Sequence, residues 1–181
     1  MANRKPPPLR TGAKTEDIVK STRHSKITGD FAEALVLYWL SRSGFECARV
    51  DHTGIDLIAR NPDTNEFMGI SVKSRSRYAG TESQSVNLAA NGFIKARKAC
   101  KAFGNCVPYY AIVVDTLDAI RCFLISLEHL ERLVGSDSNM HYWRMDRRHL
   151  DKYRSIPEEI RTFELTTADR SWGMRHDNEK D

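Results

Sequence analysis

The sequence predicts an α/β fold, a three-layer sandwich with a central mixed sheet of about five strands flanked by helices. Three observations predict it. The first is element order: a helical segment, three strand-like runs, a second helical segment, two more strand-like runs, then a short helix. The second is a hairpin signature. Gly54-Ile55-Asp56-Leu57-Ile58-Ala59 and Gly69-Ile70-Ser71-Val72-Lys73 flank the turn-like Asn61-Pro62-Asp63-Thr64-Asn65. The third is size. A chain of 181 residues, 40% hydrophobic and 29% charged, makes one domain with a real core.

Residues 1–26 are polar, basic and proline-bearing, and read as a flexible arm. The folded domain is expected over 27–165, and a polar tail over 166–181. A helix is expected from about Thr28–Asp30 to Arg42, ended by Gly44. Its interior, Phe31 to Leu40, is apolar except for Glu33, which is the pattern of a buried helix. Phe45 to Val50 reads as the first strand, and the hairpin supplies the next two. Residues 74–87 have no period and read as a mobile loop. A second helix is expected over Leu88–Phe103, stopping at Gly104-Asn105. Strands follow at Pro108–Val114 and Ala119–Ile125. Ser126 is placed to cap a short helix over Leu127–Leu133, ended by Gly135. Ile156 to Ile160 resembles a turn opening another short helix.

Composition excludes several classes. No apolar run is long enough to span a membrane, and the N-terminus lacks the apolar stretch of a secretory signal. Cys47, Cys100, Cys106 and Cys122 form no CxxC pair and no zinc spacing. Free thiols fit a reducing compartment, so the expected location is cytoplasmic. The net charge of +4 is uneven. Residues 1–26 hold seven Lys or Arg against Glu16 and Asp17. Within 71–101, Lys73, Arg75, Arg77, Lys95, Arg97, Lys98 and Lys101 face Glu82 alone. Such clusters suit a phosphate backbone or simply a solvated face.

Chemistry concentrates on the hairpin. With the turn centred near Asp63 and Thr64, Asp56 falls opposite Ser71, and Ser71 and Lys73 share its face. A carboxylate and an ammonium then stand side by side at one edge of the sheet. That pairing suits a hard divalent cation and an attacking water. Separately, Asp56 could be a solvent-facing strand residue and Lys73 a strand exit. Glu33 could belong to a capping box with Asp30 as the N-cap.

Glu33 on its helix, Asp56 on one strand and Ser71-Val72-Lys73 on the next resemble the PD-(D/E)XK nuclease superfamily, over roughly Thr28 to Ser126. The similar subgroups are the Holliday-junction-resolvase-like and Mrr-like restriction endonucleases. The resemblance implies a restriction-endonuclease-like fold and a metal-dependent endonuclease acting on DNA, with Mg²⁺ or Mn²⁺. It implies catalytic roles for Glu33, Asp56, Ser71 and Lys73. Metal ligands would be Asp56, Glu33 and the Val72 carbonyl. Ser71 stands where the family carries an acid. Glu82 is the nearest downstream acid, Glu66 and Asp51 stand at strand starts, and Glu33 is the acid expected to compensate; otherwise the alternative is a catalytically inactive nuclease fold that binds nucleic acid or a protein.

DNA contacts are expected from Arg75, Arg77, Gln84, Lys95 and Lys98, with Asn87 and Asn91 as weaker candidates. The stretch His141-Tyr142-Trp143-Arg144 could stack on bases, or place its aromatics in the core with Arg outside; the core reading is preferred. Relatives of this kind act as dimers, so a homodimer is a further expectation.

Overall fold

The computed structural model describes residues 22–78, 80–116, 118–134 and 139–166. The arm up to residue 21, the tail after 166 and the expected stop at Gly135 lie outside the described residues. The order is α1 (His24–Arg42), β1 (Glu46–His52), β2 (Ile55–Arg60), β3 (Phe67–Ser76), β4 (Val86–Ala89), α2 (Ala90–Ala102), β5 (Val107–Asp115), β6 (Ala119–Ser126), α3 (Leu127–Val134), β7 (Met140–Trp143), α4 (Arg147–Arg154) and β8 (Ile160–Thr166).

Six strands form the central sheet in the order β1-β2-β3-β5-β6-β8. Only β3 and β5 pair in parallel; the other neighbours are antiparallel, so the sheet is mixed. Period-2 alternation on β5 sorts its side chains between two cores. Ala111 and Val113 pack with Ala32, Val36 and Leu40 of α1. Tyr110, Ile112 and Val114 pack on the other face with Phe93 and Ala96 of α2 and Leu127 and Leu130 of α3. This is the expected sandwich, with one strand more than expected. Among the described residues no helix is long and apolar enough to cross a membrane.

The hairpin turn is built by its own side chains. Asn61 Oδ1 accepts from Asp63 N–H at 3.0 Å, and Asn61 N–H donates to the Glu66 carbonyl at 2.9 Å. Asn65 takes the positive φ of 59° that closes the turn. The resulting register pairs Leu57 with Ile70 and Arg60 with Phe67.

Several boundaries differ from expectation. Helix α1 starts at His24, so Asp30 lies mid-helix and is no N-cap; instead it takes an ion pair from Lys26 one turn earlier. The capping-box reading of Glu33 falls with it. Helix α1 is also not buried all round, since Ile27, Phe31 and Tyr38 are exposed. The expected loop 74–87 is shorter, because β3 continues to Ser76 and Val86–Ala89 pairs with β7 as a separate two-stranded sheet. Leu88 is therefore in a strand rather than in α2. Ile160–Thr166 continues as edge strand β8 rather than opening a helix. Ser126 does accept from His129 N–H at 3.3 Å at the start of α3. The aromatic stretch is core in part: His141 and Trp143 are buried and Trp143 stacks on Tyr153 with ring centroids 4.0 Å apart, whereas Tyr142 is 53% exposed.

Candidate nuclease-like site

Asp56 is placed by the hairpin and released from regular pleating. Ile55 packs with Ala99, Cys100 and Cys106 on the α2 side, while Leu57 joins the α1 core. Residues two apart in a regular strand face the same way, so alternation breaks at Asp56. A register shift between Arg49 and His52 on β1 accompanies the break. Gly54 makes it possible. Its φ is +112°, and a Cβ there would lie 2.5 Å from the Lys95 carbonyl oxygen of α2.

The Asp56 carboxylate therefore reaches across the sheet edge. Its Oδ2 accepts a 2.6 Å hydrogen bond from Val72 N–H. Among the described residues no other hydrogen bond reaches this carboxylate. Burial raises its pKa above the ordinary aspartate value, opposed by the Val72 hydrogen bond and the Lys73 charge; Glu33 adds to the rise and Arg49 opposes it. Glu33, Asp56 and Lys73 thus share one electrostatic neighbourhood. Lys73 makes no ion pair within 4 Å among the described residues. Its ammonium lies 5.9 Å from the Tyr110 ring centroid.

Glu33 projects from α1 into an open cleft of about 420 Å³ that Asp56 also lines, with Arg49, Val50, Asp51 and His52. Arg49 of β1 forms an ion pair with Glu33. Ser71 is 3% exposed and pairs in register with Tyr110. Tyr110 is 1% exposed, and its hydroxyl sits beside Ser71 without a hydrogen bond of acceptable geometry. Burial pushes that phenol up to about 12.

Glu82 lines a different cleft, with Asp118 and Arg121, and Glu66 accepts from Tyr109 at 2.9 Å at the hairpin's turn end. Neither approaches Asp56. Asp51 does line the Glu33–Asp56 cleft. Its signal in the sequence was hidden, since the irregularity of β1 decides where it points. Arg49 was missed for the same reason. Among the described residues no three His, Cys, Asp or Glu side chains are grouped to hold a metal ion. Glu33 and Asp56 are the expected donors, and Asp51 lines the same cleft. That still fits Mg²⁺ or Mn²⁺, which keep several waters and use one or two carboxylates plus substrate phosphate oxygens. The Asp56 oxygen left without a hydrogen bond is the open donor.

Of the expected DNA-contacting residues, Lys95 and Lys98 stand exposed on α2, and Lys95 adjoins the Gly54 turn. Arg75 is exposed at the end of β3. Arg77 instead donates to the carbonyls of Gln84 and Ser85 at 2.7 and 2.8 Å, closing the loop that carries Gln84.

Neither a protein-family model nor a curated protein matches the chain. Among solved structures it is similar to Hjc of Archaeoglobus fulgidus, a Holliday junction resolvase from an archaeal hyperthermophile. The identity is 18%, the TM-score 0.48, and the match covers 64% of this chain and 83% of that one.

Proposed function

We propose that the protein is a metal-dependent endonuclease of PD-(D/E)XK type that hydrolyses phosphodiester bonds in DNA. One observation carries this reading: the Asp56 carboxylate, held by Val72 N–H, feels the charge of Lys73 and lines one cleft with Glu33. Mg²⁺ or Mn²⁺ would supply charge neutralisation at the phosphate and a more acidic water. Asp56 and Glu33 would hold it, with the Val72 carbonyl as a further donor. Lys73, without an ion-pair partner, holds a phosphate oxygen or the incoming water in the gap beside Asp56. In the reaction, water oxygen bonds to phosphorus and gives up a proton to solvent, the bond to the leaving sugar oxygen breaks, and that oxygen takes up a proton from solvent, so one water is consumed. Lys95 and Lys98 of α2, with Arg75, bind the phosphate backbone next to the cleft.

A second reading follows from Ser71. Buried against Tyr110 and neutral, it adds no carboxylate, which favours a nuclease fold that binds nucleic acid without cutting it. Nicking of supercoiled, single-stranded and branched DNA, with Mg²⁺ or Mn²⁺, separates the two. Cleavage by wild type that Asp56→Ala and Lys73→Ala both abolish supports the endonuclease. No cleavage of any substrate, with DNA binding intact, establishes the second reading.

A further inference from the structure

We infer that Arg49 is a resident cation at this site: its guanidinium holds Glu33 and would have to leave it before a divalent ion could use Glu33 together with Asp56. The inference rests on the metal-site reading above and concerns what the protein does at that site before metal arrives.

Glu33, Asp51 and Asp56 line one cleft, and carboxylates so placed repel and lose hydration. Some positive charge has to stand between them. From β3, the charge of Lys73 acts on Asp56 without an ion pair within 4 Å among the described residues. On the α1 side, Arg49 is the cation that contacts Glu33, and its charge also acts on Asp56. Glu33, Arg49 and Asp56 line the same cleft.

The geometry allows exchange. Arg49 is 48% exposed at its side chain, whereas Glu33 is 24% exposed. The carboxylate is the fixed member of the pair and the guanidinium the member with solvent to move into. Arg49 sits on β1 just before the register shift that ends regular pairing with β2. The pair supplies one positive charge, so a divalent ion gains on it by charge but must first break an ion pair. Resting affinity for metal is thereby lowered, and the site stays neutralised when metal is scarce.

Mn²⁺ titration of the full chain by calorimetry, without DNA, tests this. Arg49→Gln is expected to bind Mn²⁺ roughly three- to tenfold tighter than wild type, the scale of one partly exposed ion pair. Arg49→Lys, which keeps the charge, is expected to bind as wild type does. In Arg49→Gln/Glu33→Gln the gain disappears. In EDTA, Arg49→Gln melts below wild type, and saturating Mn²⁺ closes the gap. Measurable wild-type binding that Arg49→Gln leaves equal or weakens overturns the inference while leaving the metal site standing. Absence of Mn²⁺ binding in wild type and in both Arg49 variants overturns inference and metal site together.

Discussion

The backbone N–H of Val72 donates a 2.6 Å hydrogen bond to the Asp56 carboxylate across the β2–β3 hairpin. The strand that carries Lys73 thus fixes the acid on the neighbouring strand. Because burial raises the Asp56 pKa, its ionised form opposes folding. That cost is full above the folded pKa and vanishes as pH falls through it.

Asp56→Asn keeps the acceptor for Val72 and removes the charge. The variant should lose metal-dependent cleavage and melt above wild type at neutral pH, with the difference shrinking in acid. Thermal unfolding across pH checks this. A variant less stable than wild type at neutral pH would show that the carboxylate is already compensated.

Gly54→Ala should destabilise the domain by about 3 kcal/mol, combining backbone strain at positive φ with overpacking. The added methyl would lie 2.5 Å from the Lys95 carbonyl oxygen, which is backbone and cannot rotate away. Urea unfolding measures the loss. A change under roughly 0.5 kcal/mol would mean that β2 and α2 separate easily.

Tyr110→Phe deletes a buried hydroxyl that lies beside Ser71 but makes no well-formed hydrogen bond among the described residues. Its desolvation costs about 1–3 kcal/mol, so the variant should be as stable as wild type or more so. Ser71→Glu meets the same buried ring and should lose about 1–3 kcal/mol by overpacking. Ser71→Asp, being smaller, should fold better and add a carboxylate beside Asp56. Denaturation of all three, with Mn²⁺ titration of Ser71→Asp, tests the crowding.

Two basic residues should behave oppositely. Lys98→Ala should weaken DNA binding and flatten the dependence of log affinity on log salt by roughly 0.9 per lost duplex phosphate contact. Removal of residues 1–21, which carry five of the arm's seven basic residues, should flatten it further. Arg77→Ala should instead lower the melting temperature, since its guanidinium closes the 78–85 loop. Binding isotherms over a salt series and thermal melts distinguish the two effects. Unchanged affinity for both Lys98→Ala and the truncation would remove DNA as the partner of this face.

The hairpin was legible because its turn chemistry is local. Asn61, Pro62, Asp63 and Asn65 fix the loop length, and loop length fixes register, so the pairing of Leu57 with Ile70 next to Asp56 follows from sequence alone. Strand β5 was legible as the apolar run Pro108 to Val114, but its sorting between two cores was not, because every residue of the run is apolar. What stayed hidden depends on partners remote in sequence. Val86–Ala89 is too short to signal a strand and becomes one only by meeting Met140–Trp143. Thr162, Phe163, Glu164 and Leu165 alternate weakly and form a strand because β6 offers them an edge. Arg49 looked like an ordinary strand arginine; its pairing with Glu33 needs both the α1 packing and the irregularity of β1.

The parallel pairing of β3 with β5 also sets an order of assembly. The β2–β3 hairpin closes over a short turn, on the microsecond scale of isolated hairpins. Its other neighbour, β5, is joined only after β4 and α2 have been made and a long loop has closed. During synthesis the hairpin that carries Asp56 and Lys73 therefore leaves the ribosome with one edge of β3 unsatisfied, although α1 is already present to cover Ile70. A nascent chain halted before Val107 presents that edge as a template for another strand, which makes it a substrate for chaperones.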